Sequence, residues 1–260
     1  MKNVALITGA SSGIGRELAF IHAKMGGDLV LVARSTDKLE SIKSELESNH
    51  QVQVKVIMQD LSKPDAGYIV HQAVSAAGIE IDYLVNNAGF GNVGFFHEQD
   101  WEKSNAMIQL NVVALSELTR AFLPSMIKRN SGRILNVSST ASLLPGPMQA
   151  VYFATKAYVT SFSEAIAQEL SDTKVTVTAL LPGPTDTEFG SVSGMDKTSM
   201  FANPHSPKDV AQAGYDAMLA GTLSVKAGVS FGQKLFLQLI PFIPKKILLK
   251  QVKKMQQTTD

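Results

Sequence analysis

Short apolar runs alternating with helix-patterned segments constrain this chain more than any other feature. Residues 3–8 (NVALIT), 28–33 (DLVLVA), 52–58, 82–86, 133–137 and 175–181 (VTVTALL) are predominantly apolar stretches of strand length. Between them lie segments of helical period. The first carries Ile14, Leu18, Ile21 and Met25, and others span 37–48, 64–77, about 99–110 and on to 127, and 151–170. Strands that are apolar along most of their length need cover on both faces, which the intervening helices provide. Right-handed crossovers then give an α/β fold with a doubly wound parallel sheet, whose ligands bind beyond the carboxyl ends of the strands. Neither a repeat nor a linker interrupts the pattern, so residues 1–260 are expected to form one domain.

Composition narrows the function classes. The 24 basic and 23 acidic side chains leave a net charge of +1, so bulk charge does not point to nucleic acid as a partner. With no cysteine, thiol catalysis, disulfides and thiolate metal sites are excluded, and no metal site is expected. The first apolar run meets Thr8-Gly9 too soon for a secretory signal, and no stretch reaches the roughly 18 uninterrupted apolar residues of a membrane span. A cytoplasmic protein is expected.

Immediately after the first run comes Gly9-Ala10-Ser11-Ser12-Gly13-Ile14-Gly15. Glycines at such a strand-to-helix junction allow a tight turn and close backbone approach, and the helix that follows directs free N–H groups at an anion. The spacing differs from the generic G-x-G-x-x-G fingerprint, and a glycine-rich turn without a ligand is the alternative. Farther on, Tyr152 and Lys156 stand four apart in a helical segment and share one face. An ammonium beside a phenol favours the phenolate, so Lys156 is expected to depress the Tyr152 pKa and fit it for proton transfer.

The segment TGASSGIG, residues 8–15, resembles the cofactor signature of the short-chain dehydrogenase/reductase family in its shorter, single-domain branch. Further matches run in order from Val4 to about Thr187. The resemblance implies a Rossmann-type fold with Gly9, Ser11, Ser12, Gly13, Ile14 and Gly15 around a dinucleotide. It also implies an adenine contact at Asp60 and Leu61, and a structural and ribose-side role for Asn87-Ala88-Gly89. The turn Pro182-Gly183-Pro184-Thr185-Asp186-Thr187 is similar to the family's nicotinamide element, with contacts near Thr185 and from Thr187. Where the family's NAD-type acid would fall, after the second strand, stand Ala33-Arg34-Ser35. Arg34 can meet a 2′-phosphate with a charge-assisted bond and Ser35 can add a hydroxyl, which predicts NADP(H) over NAD. Arg34 as a solvated surface residue is the alternative; Lys38 is a second candidate cation that more often would face solvent.

For catalysis the resemblance implies a set of Asn111, Ser139, Tyr152 and Lys156. Ser139 lies thirteen positions before Tyr152, the family's usual spacing, and would hold the substrate oxygen; Ser138 is the fallback. Asn111, a polar residue in an apolar helical stretch, would help hold a proton-relay water, although a satisfied structural amide is the plainer reading. Together these predict an oxidoreductase that passes hydride between NADP(H) and a small-molecule carbonyl or alcohol. A membrane-surface or carrier-linked reductase of acyl or lipid carbonyls is one rival, and a non-catalytic NADP-sensing protein another.

Residues 188–206, rich in Gly, Ser and Met, are expected to form a substrate lid. The C-terminal extension, 234–260, is apolar, broken by Pro241 and Pro244, and studded with lysine. It reads as a cover over the cleft or subunit interface, as a peripheral membrane-surface helix, or as a packed tail. A homodimer through the helices bearing Asn111 and Tyr152 is expected from the resemblance.

Overall fold

The computed structural model describes residues 1–198, 201 and 203–257. Seven strands form one wholly parallel sheet in the order β3-β2-β1-β4-β5-β6-β7. They are β1 (Ala5–Thr8), β2 (Leu29–Ala33), β3 (Val54–Met58), β4 (Tyr83–Asn86), β5 (Gly132–Val137), β6 (Val175–Pro182) and β7 (Ser224–Ala227). Helices follow the strands in turn: α1 (Gly13–Lys24), α2 (Thr36–His50), α3 (Ala66–Ala76), α4 (Trp101–Ile108), α5 (Leu115–Arg129), α6 (Ala150–Glu169), α7 (Glu188–Ser193) and α8 (Pro207–Leu219). Beyond β7 lie α9 (Phe231–Leu239) and α10 (Lys245–Gln256).

Strand alternation divides the core into two layers. Ile7, Leu29, Leu31, Leu135 and Leu180 pack with Leu18, Leu39, Leu46, Val210 and Met218 of α1, α2 and α8. Their neighbours Leu6, Val30, Leu84, Ile134 and Val177 turn the other way, onto Val70, Val74, Leu118, Phe122 and Met126 of α3 and α5. A period of two thus feeds both faces from each strand. The order reverses on either side of β1, whose neighbours β2 and β4 lead in opposite directions, and opens a crevice at the carboxyl ends.

One expectation needs correction. The two helical stretches from residue 99 are one continuous helical segment, Trp101–Arg129, in which Gln109–Ala114 is wound as a π-helix. That segment has the length and composition of a membrane span, yet Leu118, Phe122 and Met126 are buried against the sheet. After β5 stops at Val137, Ser139 caps a short 3-10 turn, Thr140–Leu143, and accepts the Ala141 N–H at 3.1 Å. The described part of residues 188–206 is partly helical, because Thr187 caps α7 and the Ser193 hydroxyl bonds the Phe189 and Gly190 carbonyls. Residues 199, 200 and 202 of that span, and 258–260 of the extension, lie outside the described residues.

Candidate active site

A cleft of about 620 Å³ runs along the carboxyl ends of the strands. One end of it is built by fastening β1 to β4. The Thr8 hydroxyl accepts the N–H groups of Asn87 and Ala88, both at 3.0 Å, and the Asn87 amide donates back to the carbonyls of Thr8 (2.9 Å) and Gly9 (3.2 Å). Gly9 and Gly13 take φ values of +64° and +54°, which a side chain rarely adopts. A Cβ on Gly13 would come within 2.8 Å of Thr187 Cγ2. Ser12 stands at the N-cap of α1 without using its side chain as a cap, so the first-turn N–H groups face the cleft. Glycine, free amide and hydroxyl groups in this cradle fit a pyrophosphate.

Arg34, Ser35 and Lys38 line the next section of the cleft with Asp60 and Leu61. Burial tends to raise the Asp60 pKa, but bonds from the Ser62 hydroxyl (2.7 Å) and amide (3.0 Å), helped by Arg34 and Lys63, hold it below the ordinary carboxylate range. Lys38 reaches Glu188 at 2.8 Å, and Ser12 also helps to hold the Glu188 pKa below the ordinary glutamate range. At the far end the turn after β6 is held by the Thr185 hydroxyl bonding the Gly183 carbonyl at 2.9 Å. Pro182, Gly183, Thr185 and Thr187 all line the cleft.

Tyr152 and Lys156 sit one turn apart on α6 at the cleft floor, each only 5% exposed. Ser139 lines the cleft beside Tyr152, where its side chain favours the phenolate. Because Ser139 Oγ accepts from Ala141, its proton remains free for donation into the cleft. Lys156 Nζ donates to the Val137 carbonyl at 2.8 Å and lies 6.0 Å from the centre of the Tyr152 ring. Ser138, the fallback, is engaged elsewhere, donating to the Lys156 carbonyl at 2.9 Å and touching the Thr160 hydroxyl at 2.7 Å.

The expected depression of the Tyr152 pKa is not found. Burial pushes the phenol up to about 12, partly offset by Ser139, and burial pushes Lys156 down to about 8. Both groups occupy the same dry pocket, and loss of water costs each charged form more than their separated attraction returns.

Two chosen residues do not line the cleft. Gly15 packs so tightly that a Cβ would meet the Asn87 amide and the Gly9 carbonyl at 2.4 Å. Asn111 is buried in the π-helical turn, a feature that recurs at functional sites. Its Oδ1 accepts from Phe90 N (3.2 Å), and its Nδ2 donates to Phe90 O (3.0 Å) and Thr155 Oγ1 (3.1 Å). Thr155 in turn bonds the Tyr152 carbonyl at 2.7 Å. Asn111 thereby joins the loop after Gly89 to the helix bearing Tyr152.

Sequence reasoning passed over a buried polar chain behind the site. Asn86 donates to Thr119 Oγ1 (3.2 Å) and Asn136 Oδ1 (2.9 Å), and Asn136 donates to Ser163 Oγ (2.9 Å). It ties β4 and β5 to α5 and α6, and asparagines within apolar strands were the available signal. Also missed were the apolar lining residues Phe90, Phe189, Val192 and Phe201, and a side cavity of about 100 Å³. That cavity shares Ala141, Phe153 and Pro184 with the cleft and is closed by Phe236 and Leu237 of α9 and Val252 and Met255 of α10. The buried amide of Gln149, at the N-cap of α6, bonds that of Gln256.

Comparison with known proteins agrees with this geometry. Residues 3–197 match the family model described as short chain dehydrogenase. A very-long-chain 3-oxoacyl-CoA reductase of Laccaria bicolor is 36% identical over 175 residues, covering 66% of this chain and 52% of that protein. Human 17-beta-hydroxysteroid dehydrogenase type 3 is 37% identical over 182 residues, 68% of this chain and 57% of its own length. The matched region therefore spans little more than half of these relatives. A solved short-chain dehydrogenase from Sphingobium yanoikuyae in complex with NADPH superposes with a TM-score of 0.83 at 30% identity, covering 99% of this chain and 98% of that one. From the glycine turn to Lys156, sequence, fold and likeness agree: this chain belongs to the short-chain dehydrogenase family.

Proposed function

We propose that the chain is an NADP(H)-dependent oxidoreductase that reduces the carbonyl group of a small, apolar substrate, with Tyr152 as general acid. The observation that carries this reading is the gathering of Ser139, Tyr152 and Lys156 on the lining of one cleft, with Tyr152 and Lys156 one turn apart on α6. Bound NADPH would be held by the turn Gly9–Gly15, by Arg34 and Ser35 at its 2′-phosphate, by Asp60, Leu61, Asn87, Ala88 and Gly89 along the adenosine, and by the turn Pro182–Thr187. Its nicotinamide supplies the hydride.

Ser139 donates a hydrogen bond to the substrate oxygen and stabilises the negative charge that develops there. Tyr152 hands its proton to that same oxygen. A phenol held at about 12 stays protonated at neutral pH, and an alkoxide is more basic still, so the transfer is downhill. The raised pKa keeps Tyr152 in the protonated form with which reduction starts. Lys156, at about 8, can then return a proton to the phenolate, and Asn111 keeps the two helical segments in register for it.

An apolar substrate is supported by Phe90, Phe189 and Val192 around the cleft and by the side cavity beneath α9 and α10. The names of the two relatives describe a 3-oxoacyl-CoA, whose very long acyl chain is apolar, and a steroid. Exposed Ile127 on α5 and Tyr158 on α6 support a homodimer through those helices. Tyr152→Phe tests the assignment, since it removes one hydroxyl and little packing. NADPH binding is expected to persist with carbonyl reduction lowered at least a hundredfold, on the order of general acid–base contributions; near-normal turnover would overturn it.

A further inference from the structure

We propose that the C-terminal pair of helices is a docking face for an anionic membrane surface. Charge along the chain is distributed unevenly. Residues 231–260 hold six lysines and one acidic residue, Asp260, whereas residues 1–230 hold 18 basic and 22 acidic side chains. The last thirty residues are therefore strongly positive on a body that is otherwise negative, a separation that net charge conceals. Among the described residues none of the six lysines forms an ion pair.

The same segment carries more apolar surface than packing requires. Ile240, Leu248 and Val252 face inward with Phe236, Leu237 and Ile243. One apolar stripe suffices to hold a helix on a domain. Yet Leu235 (49% exposed), Leu239 (47%), Phe242 (82%) and Ile247 (60%) stand in solvent within thirteen residues of one another. Leu235 and Leu239 lie one turn apart on α9, and Phe242 caps the bend between the helices, two residues before Pro244. Lys245, Lys246 and Lys250 follow at once. Lys253 Nζ sits 5.3 Å from the Phe95 ring, which joins this face to the exposed Phe95, Phe96 and Trp101 before and at the start of α4.

Exposed aliphatic and aromatic side chains ringed by lysine, with no acid among the described residues of the segment, suit the boundary between anionic headgroups and acyl chains. A protein partner would be expected to meet some of these lysines with specific carboxylates; a lipid surface asks only for apolar area and positive charge. The opposite side of the same helices closes the side cavity next to Phe153, so a docked molecule would bring that cavity close to the bilayer. This inference rests on charge and exposure and does not depend on the reaction proposed above.

Co-sedimentation of the full chain with vesicles tests it, comparing zwitterionic lipid alone with a mixture containing roughly a third anionic lipid. The expected result is pelleting with the anionic mixture only, weakened by added salt. Replacing Lys245, Lys246 and Lys250 by Gln should lower affinity roughly fivefold per lysine, and Phe242→Ser with Ile247→Ser should abolish the binding that survives raised salt. Unchanged circular dichroism and NADPH titration would show that both variants are folded. A full chain that stays in the supernatant at low salt, or variants that pellet as well as the parent, would overturn the proposal. So would apolar variants that lower the sedimentation coefficient without altering vesicle binding, since the face would then join two copies of the chain.

Discussion

Lys38, in the first turn of α2, and Glu188, the first residue of α7, meet at 2.8 Å across the mouth of the cleft. This contact ties the start of α2 to the start of α7, both of which line the cleft. The Lys38 bond chiefly holds Glu188 below the usual glutamate range and keeps it ionised. Both partners are more than half exposed, so the pair contributes at most ~1 kcal/mol to stability. Glu188→Gln should leave the thermal midpoint almost unchanged while freeing Lys38 for phosphate. NADPH affinity is then expected to rise a fewfold in a fluorescence titration, and the gain should vanish in the double variant with Lys38→Ala.

Arg34→Ala separates the two cofactors. A charge-assisted bond to the 2′-phosphate is worth roughly 1.5–3 kcal/mol, so NADPH affinity should fall about ten- to hundredfold while NADH affinity stays level. Parallel loss of both would mean that Arg34 acts on the fold rather than on the phosphate.

Asn111→Leu keeps the volume but removes three hydrogen bonds, leaving the Phe90 amide and carbonyl without those partners. The expected cost is about 2–3 kcal/mol of stability in urea unfolding. Turnover should fall more than NADPH affinity, because the lost register lies between Phe90 and α6 rather than at the phosphate turn.

Lys156 should leave a signature in the pH dependence of stability. Its folded pKa of about 8 lies below the ordinary 10.5, so between these values the unfolded chain binds more protons. Stability conferred by the folded site therefore rises with pH across that window and is lost as pH falls through 8. Relative to Lys156→Met, the wild type is expected to gain a few kcal/mol between pH 8 and 10.5. A gap that stayed constant with pH would show that the amine is not desolvated.

Phe236 closes the side cavity, and Phe236→Ala would lengthen it. Across a series of ketones of increasing chain length, the preferred substrate should shift to longer chains, at about 0.8 kcal/mol, roughly fourfold in kcat/KM, for each methylene newly buried. An unchanged length profile would place the substrate tail elsewhere.

Strands, their parallel order and the glycine turn were legible from sequence because each depends on local facts. Apolar runs such as residues 28–33 can be buried only in a sheet covered on both sides, and a glycine-rich junction has few other uses at a strand end. Arg34, Tyr152 and Lys156 stood out because their chemistry depends on near neighbours along the chain. The roles of Asn111 and Asn86 did not: what satisfies a buried amide comes from Phe90, Thr155, Thr119 and Asn136, brought close only by packing. The electrostatics of the site followed the same rule. Spacing of four put Lys156 beside Tyr152 and suggested a lowered phenol pKa, whereas tertiary burial of both residues reversed the sign for the tyrosine. The sequence by itself determined the sheet and the cleft's position at its strand ends, since periodicity and backbone freedom are properties of short segments. Tertiary structure alone decided how dry the site is, which polar atoms hold it together, and that α9 and α10 close a cavity on one side while leaving Phe242 and Ile247 in solvent, because solvation and contact depend on residues far apart in the chain.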